Sequence, residues 1–387
     1  MKTTVFFFLI SFCYSSFSKL PHLRVIWHKS PDKEAIVTWS GKKLSRNQTF
    51  QLSSKENGKI VSRTITTRHK KVFGTRHWFH YVKLQNLKPL SKYSFSISTN
   101  GVKSQSYYFV TAPPKGKNFK LLFGGDSRSD RKKRMEINQS LANYIEKNPS
   151  VLALVHGGDF ISNGLSWKQW QAWLEDYQLT ITKDNRVLPL IVTRGNHEIG
   201  SKLFNKIFFW PGNQIFGNFY VTKFSNLSLI TLNTNISHAG IQKRWLKKTL
   251  QEESKTQKWL IANYHRPAFP AVKKPGRSRK HWVPLFEKYQ LDLAFESDGH
   301  TLKKTVPIYQ GKRNDKLGVT YIGEGGLGVP QRVPKQKNKW YFKSPGYAKS
   351  AYHFIALEVG SDKMEVKVIS PKDHSVLDKF SLKPRKR

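Results

Sequence analysis

Five short motifs carry the residue types that bind metal ions and phosphate. In chain order they are Gly125-Asp126-Ser127-Arg128, Gly158-Asp159, Gly195-Asn196-His197-Glu198, His265-Arg266-Pro267 and Ser297-Asp298-Gly299-His300. Carboxylates, an amide and imidazoles are the donors that divalent cations of intermediate hardness take. Two such ions a few ångströms apart supply a nucleophile at neutral pH and positive charge for the oxygens that gain charge when a phosphate ester is cleaved. In this reading Asp159 bridges the ions, Asp126 and His300 hold the first, and Asn196 and His265 hold the second. Any one of these alone reads as a turn residue or a helix cap. Five in one order read as a site.

What must position them is a sheet. Each motif follows an apolar, strand-like run, and these runs span Phe119 to Phe123, Val151 to Val155, Val187 to Val192, Leu227 to Leu232, Trp259 to Asn263, Leu291 to Phe295 and Val319 to Ile322. They alternate with helical patterns at Arg134 to Glu146, Trp167 to Tyr177 and Ile241 to Glu252. The alternation predicts an α/β layered domain over residues 114–387, with a parallel sheet delivering the polar residues to one edge. Trp167, Trp170 and Trp173 recur at helical spacing and read as a packed helix face. The tail predicts strands at His353 to Val359, Met364 to Ile369 and Val376 to Leu382 that close a second sheet, followed by a frayed basic end from Lys383 to Arg387.

Residues 19–113 follow a different grammar, with strand patterns and turns but little helical periodicity. They predict a small antiparallel sandwich in which Trp27 and Trp39 are core. The segment from Leu84 to Tyr93 looks like the turn and corner tyrosine of fibronectin type III modules. Thr111-Ala112-Pro113-Pro114-Lys115-Gly116 reads as a linker, because two prolines and a glycine cannot continue a strand ladder. Residues 1–18 read as a cleaved signal peptide: Lys2, the apolar run Val5 to Cys13, and Ser16 and Ser18 before Lys19. The protein is thus expected to be secreted, either extracellular or periplasmic. A lipoprotein anchor at Cys13 is the minor alternative, and the run is too short for a spanning helix of about 20 residues. Cys13 is the only cysteine, so no disulfide is expected in the mature chain.

The formal charge is +42 over 387 residues. Such an excess favours anionic partners, whether phosphorylated, sulfated or nucleic-acid polymers, although a lysine-rich solvated surface is the preferred account. No basic run is interleaved with a nucleic-acid-binding motif. Asn47, Asn138, Asn226 and Asn235 match the glycosylation acceptor pattern, which has meaning only in a host that glycosylates.

On these motifs the chain resembles the calcineurin-like metallophosphoesterases, and more closely the purple acid phosphatases. The likeness runs over essentially the whole mature chain, including the N-terminal sandwich and the Gly323-Glu324-Gly325-Gly326 segment. It implies a four-layer α/β/β/α sandwich with two divalent metal ions (Fe, Mn, Zn or Mg) at the strand ends. It implies Asp126, Asp159, Asn196 and His265 as ligands and His197 as a phosphate-binding residue or acid for the leaving group. The expected activity is acid-phosphatase-like monoester hydrolysis by a metal-bound hydroxide. A phosphodiesterase or nuclease on the same centre, and a non-catalytic metal- or anion-binding relative, stay open.

Three departures from the family pattern matter. The tyrosine that gives purple acid phosphatases their ferric charge-transfer colour is replaced by Ser162, so a ferric tyrosinate centre is not expected. The family's Gly-His-x-His falls, without a gap, on Ser297 to His300, which puts Asp298 in place of the first histidine and His300 in place of the second. A carboxylate there lowers the charge of the site by about one unit and hardens it toward oxygen-loving ions. The rival alignment leaves Leu302 where a ligand belongs. Third, Lys273 and Lys274 stand where plant-type enzymes carry histidines near the phosphate, and with Arg277, Arg279 and Lys280 they form a cationic rim or a solvated loop. Arg128 is a further phosphate contact, next to a helix start that attracts anions.

Overall fold

Parity along the strands sets the layers. In the computed structural model, which describes residues 18–44, 47–72, 74–210 and 217–387, seven strands build the centre. They are β1 (Phe119–Gly124), β2 (Val151–His156), β3 (Leu190–Val192), β4 (Leu227–Thr231), β5 (Trp259–Asn263), β6 (Leu293–Glu296) and β7 (Thr320–Gly323). Strands β1, β2 and β3 run parallel in one sheet, and β4 to β7 run parallel in another. Side chains alternate across a strand. Leu121 and Phe123 of β1 therefore share a buried cluster with Ile261 of β5 and Phe295 of β6, and the rings of Phe123 and Phe295 stack with centroids 3.6 Å apart.

The other parity faces helices. Leu122 and Leu154 pack with Ile137 and Leu141 of α1 (Arg131–Lys147) and with Trp170 and Trp173 of α2 (Trp167–Tyr177). On the far side, Leu260, Ala262 and Ala294 pack with Leu246 and Leu250 of α3 (Gly240–Thr256) and with Phe286. The result is the expected four-layer α/β/β/α sandwich. The α1 N-terminus is fixed by Asp130, whose side chain accepts from the Lys133 amide at 2.9 Å.

The N-terminal strands form a two-sheet sandwich, but one of its sheets is continuous with the first central sheet. Arg24–Ile26 pairs in parallel with β3 through Ile26 and Leu190, and the Trp27 amide donates to Leu190 O at 2.9 Å. Ala35–Gly41, Trp78–Leu84 and Arg68–Lys71 follow in order, giving ten described strands in that sheet. Trp27 and Trp39 are core, and the Tyr93 hydroxyl accepts from the Lys88 amide at 2.7 Å, tying the corner to the preceding turn. Thr111 to Gly116 contains no strand. Residues 1–17 of the expected signal peptide, with its run Val5 to Cys13, fall outside the described residues.

Two expectations are corrected at the C-terminus. The tail strands extend the first sheet instead of closing a second, because Phe354–Val359 pairs antiparallel with the free edge of β1 from Val359↔Phe119 to Ile355↔Phe123. The basic end is docked, not frayed. Arg385 donates to Leu317 O at 2.7 Å, Arg387 donates to Lys258 O at 2.7 Å, and both guanidinium groups pair with Asp292, which is 1% exposed. An anion buried there needs those partners. The double substitution Arg385→Ala/Arg387→Ala is therefore expected to lower stability by about 3 kcal/mol, read as a drop in the urea midpoint at unchanged slope.

Candidate metal centre

The C-terminal ends of β1, β2, β3, β5 and β6 meet at one edge of the paired sheets, and each passes directly into a motif loop. The loops are forced close together. Ser297 Oγ lies between Gly125 and Gly157, where a Cβ on either glycine would come within 2.4 and 2.1 Å of it. Gly325 lies against Asp126 in the same way, with Oδ2 only 2.1 Å from where a Cβ would stand. Asp126, Asp159, Asp298 and His300 all adopt positive φ, from 57° to 71°. That region is unfavourable for residues with a Cβ, and such strain concentrates where side-chain aim matters more than stability.

The aim converges. Ligand atoms of Asp126, Asp159 and His265 lie within 4.8 Å of one another, and all three residues are fully buried. His265 donates from Nδ1 to Gly157 O at 2.8 Å, which turns Nε2 into the centre. There Nε2 faces Asn196 Oδ1 at 3.1 Å, Asp159 Oδ1 at 3.2 Å and Asp298 Oδ1 at 3.5 Å. One nitrogen cannot satisfy three oxygens with a single proton, and a ring nitrogen pinned by a carbonyl behind it is the usual arrangement of a metal-binding histidine. On the other side, His300 Nε2 is 3.4 Å from Asp126 Oδ1, a buried oxygen that accepts no hydrogen bond. The Asp298 amide donates to Asp126 Oδ2 at 2.9 Å and so links the first and last motifs. Three buried carboxylates, an amide oxygen and two imidazoles, with an orphaned oxygen among them, are donor types that fit divalent ions.

Charge is balanced by cations from the protein. Burial opposes ionisation of Asp159, but the charge and hydrogen bond of His265, together with His197, hold its carboxyl well below the usual range. Asp298 is likewise disfavoured by burial and held low by His265 and Lys273. Arg128 does not project freely toward solvent: Nε is 3.3 Å from Asp159 Oδ2 and a terminal nitrogen is 3.4 Å from His300 Nε2. Lys273 Nζ lies 2.5 Å from Asp298 Oδ1. Lys274 is exposed and makes no hydrogen bond or ion pair among the described residues. Leu302 lies in the core between the sheets, away from any ligand role.

His197 is partly exposed and donates from Nδ1 to Ser162 O at 2.7 Å, leaving Nε2 3.7 Å from Asp159 Oδ2. Ser162 thus contributes its backbone carbonyl, while its hydroxyl meets Ser129 at 3.2 Å.

Sequence reasoning gave no role to the carboxylates beneath the centre, although Glu198 and Glu324 stand inside the quoted motifs. Glu198 is fully buried and accepts from the amides of Asp159, Phe160 and Gly195 at 3.0, 2.9 and 2.9 Å, clamping two motif loops. Burial and the neighbouring charge of Asp159 push its carboxyl up to about 8. Glu296 forms an ion pair with Lys303, both sealed from solvent, and accepts from the Ala268 amide at 2.6 Å. Glu324 accepts from the Ala271 amide at 2.9 Å. The signal available was a lone charge ending an apolar run, as in Leu293 to Glu296.

Residues 120–303 match the calcineurin-like phosphoesterase family, and residues 20–111 match the N-terminal domain of purple acid phosphatases. The fold is similar to that of a purple acid phosphatase from yellow lupin (Lupinus luteus) seeds, with a TM-score of 0.79 at 18% identity over 94% of this chain and 74% of that one. Acid phosphatase type 7 of Mus musculus is 26% identical, covering 70% of this chain and 68% of its own length. A protein of Arabidopsis thaliana named "Probable inactive purple acid phosphatase 24" is 24% identical over 65% of this chain and 49% of its own length. The chain spans 49% to 68% of the length of the curated relatives it matches. The chain thus carries a calcineurin-like phosphoesterase domain behind a purple acid phosphatase N-terminal domain, and its fold is that of the purple acid phosphatases.

Proposed function

We propose that this protein hydrolyses phosphate esters at a centre of two divalent ions, one between Asp126, Asp159 and His300, the other among Asp159, Asn196, His265 and Asp298. The observation that carries this reading is His265 Nε2, which faces three oxygens across 3.1 to 3.5 Å. Bound there, such ions supply a hydrolytic water at neutral pH and positive charge for the phosphoryl oxygens. Asp159 would belong to both donor sets, and Glu198 fixes its loop through the backbone. His197, oriented by Ser162 O, presents Nε2 to the leaving group and donates the proton that an alkoxide needs. Arg128 meets the non-reacting oxygens of phosphate once they draw it from Asp159 and His300. With Ser162 in place of a tyrosine and Asp298 in place of an imidazole, the centre suits manganese, magnesium, ferrous iron or zinc. A phosphomonoester is the favoured substrate, with diesters on the same centre as the alternative, and the leader directs the protein out of the cytoplasm. No helix of the described residues is long and apolar enough to cross a membrane.

A second reading is favoured by the contacts of Arg128 and Lys273, which place cationic side chains on the donor atoms themselves. In it the centre is a non-catalytic binding site with fewer than two metals per chain. Elemental analysis separates the two.

Turnover of p-nitrophenyl phosphate is expected to vanish on chelation and to return with single added divalent metals. Asp159→Ala is expected to lose on the order of a thousandfold in kcat. Activity that survives either treatment would falsify the proposal. Comparison with bis-p-nitrophenyl phosphate assigns monoester or diester preference. His197→Ala is expected to slow hydrolysis of an alkyl phosphate by about a hundredfold or more while affecting p-nitrophenyl phosphate far less, because p-nitrophenolate leaves without a proton. Equal losses on both substrates would count against an acid role.

A further inference from the structure

Under the ungapped alignment, Asp298 stands where the family has a histidine, and the exchange adds a negative charge beside two buried carboxylates. Lys273 returns that charge. Its ammonium lies 2.5 Å from Asp298 Oδ1, and the Asp298 side chain is 5% exposed. The same Oδ1 is the atom that faces His265 Nε2 at 3.5 Å, so the ion pair is made on the oxygen aimed into the second position. Arg128 approaches donors of the first position only at 3.3 and 3.4 Å.

The chain holds Lys273 in place from both sides. The preceding segment is clamped at the amides of Ala268 and Ala271 by Glu296 and Glu324. Gln336 donates its amide to Ala271 O at 2.9 Å, and its side chain donates to Lys273 O. The backbone is thus fixed while the side chain, 38% exposed, keeps a flexible stem with a path to solvent.

We propose that Lys273 is a displaceable counter-ion that competes with the second metal ion for Asp298. The inference rests on the two-ion reading above. The ion pair holds the donor that a second cation needs, so the two positions load unequally. The first fills readily, and the second fills only as the ammonium leaves Asp298, which lowers its apparent affinity by roughly tenfold or more. Once displaced, the ammonium is free on its stem at the rim of the site, close to where phosphate binds.

Calorimetric titration of the full-length chain with Mn²⁺ tests this without reference to activity. The native protein is expected to bind two ions in separated steps. Lys273→Met is expected to tighten the weaker step by tenfold or more, and Lys274→Met, the same charge change at an exposed residue without an ion pair, to alter it by less than about twofold. In an Asp298→Asn background, Lys273→Met is expected to produce no tightening. Two equal steps in the native protein, no change in Lys273→Met, an equal change in Lys274→Met, or tightening that persists without the Asp298 carboxylate would each overturn the inference while leaving the two-ion reading intact. Absence of Mn²⁺, Zn²⁺ and Fe²⁺ binding by both native and Lys273→Met protein would overturn that reading, and the inference with it.

Discussion

The structure is organised around like charges held where water cannot screen them. Asp126, Asp159 and Asp298 converge at the ends of strands in two packed sheets, and each is at most 3% exposed. Two unit charges about 5 Å apart repel by about 3 kcal/mol even at the effective dielectric of a protein surface. Nothing in the hydrophobic core favours that arrangement. It persists because both sheets are fixed by large apolar faces, with Phe123 on Phe295 at the interface, and because the loops beyond the strand ends have no room to spread. Positive φ at four of the candidate ligands adds local strain on top of the repulsion. A centre with this geometry needs cations, and Arg128 and Lys273 stand on its oxygens.

The support beneath the centre follows from the same constraint. Loops that carry repelling groups must be tied by their backbones, since their side chains are committed elsewhere. Glu198, Glu296 and Glu324 do this by accepting backbone amides from the loops at Asp159, Ala268 and Ala271. Glu296 brings further negative charge below the site, which Lys303 offsets from within the second sheet, while burial pushes the Glu198 and Glu324 carboxyls up to about 8 and so toward their neutral forms. Positioning here is electrostatic in two tiers, with the upper tier open to ligands and the lower sealed.

How much of this was legible in the sequence depended on whether a residue's role is set by its neighbours in the chain. Strands and helices were readable because parity and the 3.6-residue period are local, so Trp167 to Tyr177 and Met364 to Ile369 fall where the pattern puts them. The motifs stood out for the same reason, each being a polar residue ending an apolar run. What escaped depended on pairing across the chain. The tail strands carry no mark of which sheet edge they join, and the edge of β1 decides it. Arg385 and Arg387 look like a solvated end until Asp292, about ninety residues earlier, is placed against them. The continuity of the N-terminal sheet with the central one rests on Ile26 meeting Leu190, which no local pattern announces.

The departures from the family pattern show the same limit most sharply. Taken along the chain, an aspartate for a histidine and lysines for other histidines are separate losses, and each weakens the case for a working site. In space, Asp298 and Lys273 form one unit whose net charge is zero, equal to that of the neutral imidazole that the ungapped alignment puts there in the family. An unpaired carboxylate at that place would have deepened the repulsion with Asp126 and Asp159, and a lysine alone would have stood there with no carboxylate beside it. In the proposed centre they keep the electrostatic balance, with an oxygen donor and its lysine partner standing in for a nitrogen donor. A missing motif residue is therefore poor grounds for judging such a site inactive until the charge around its replacement has been counted.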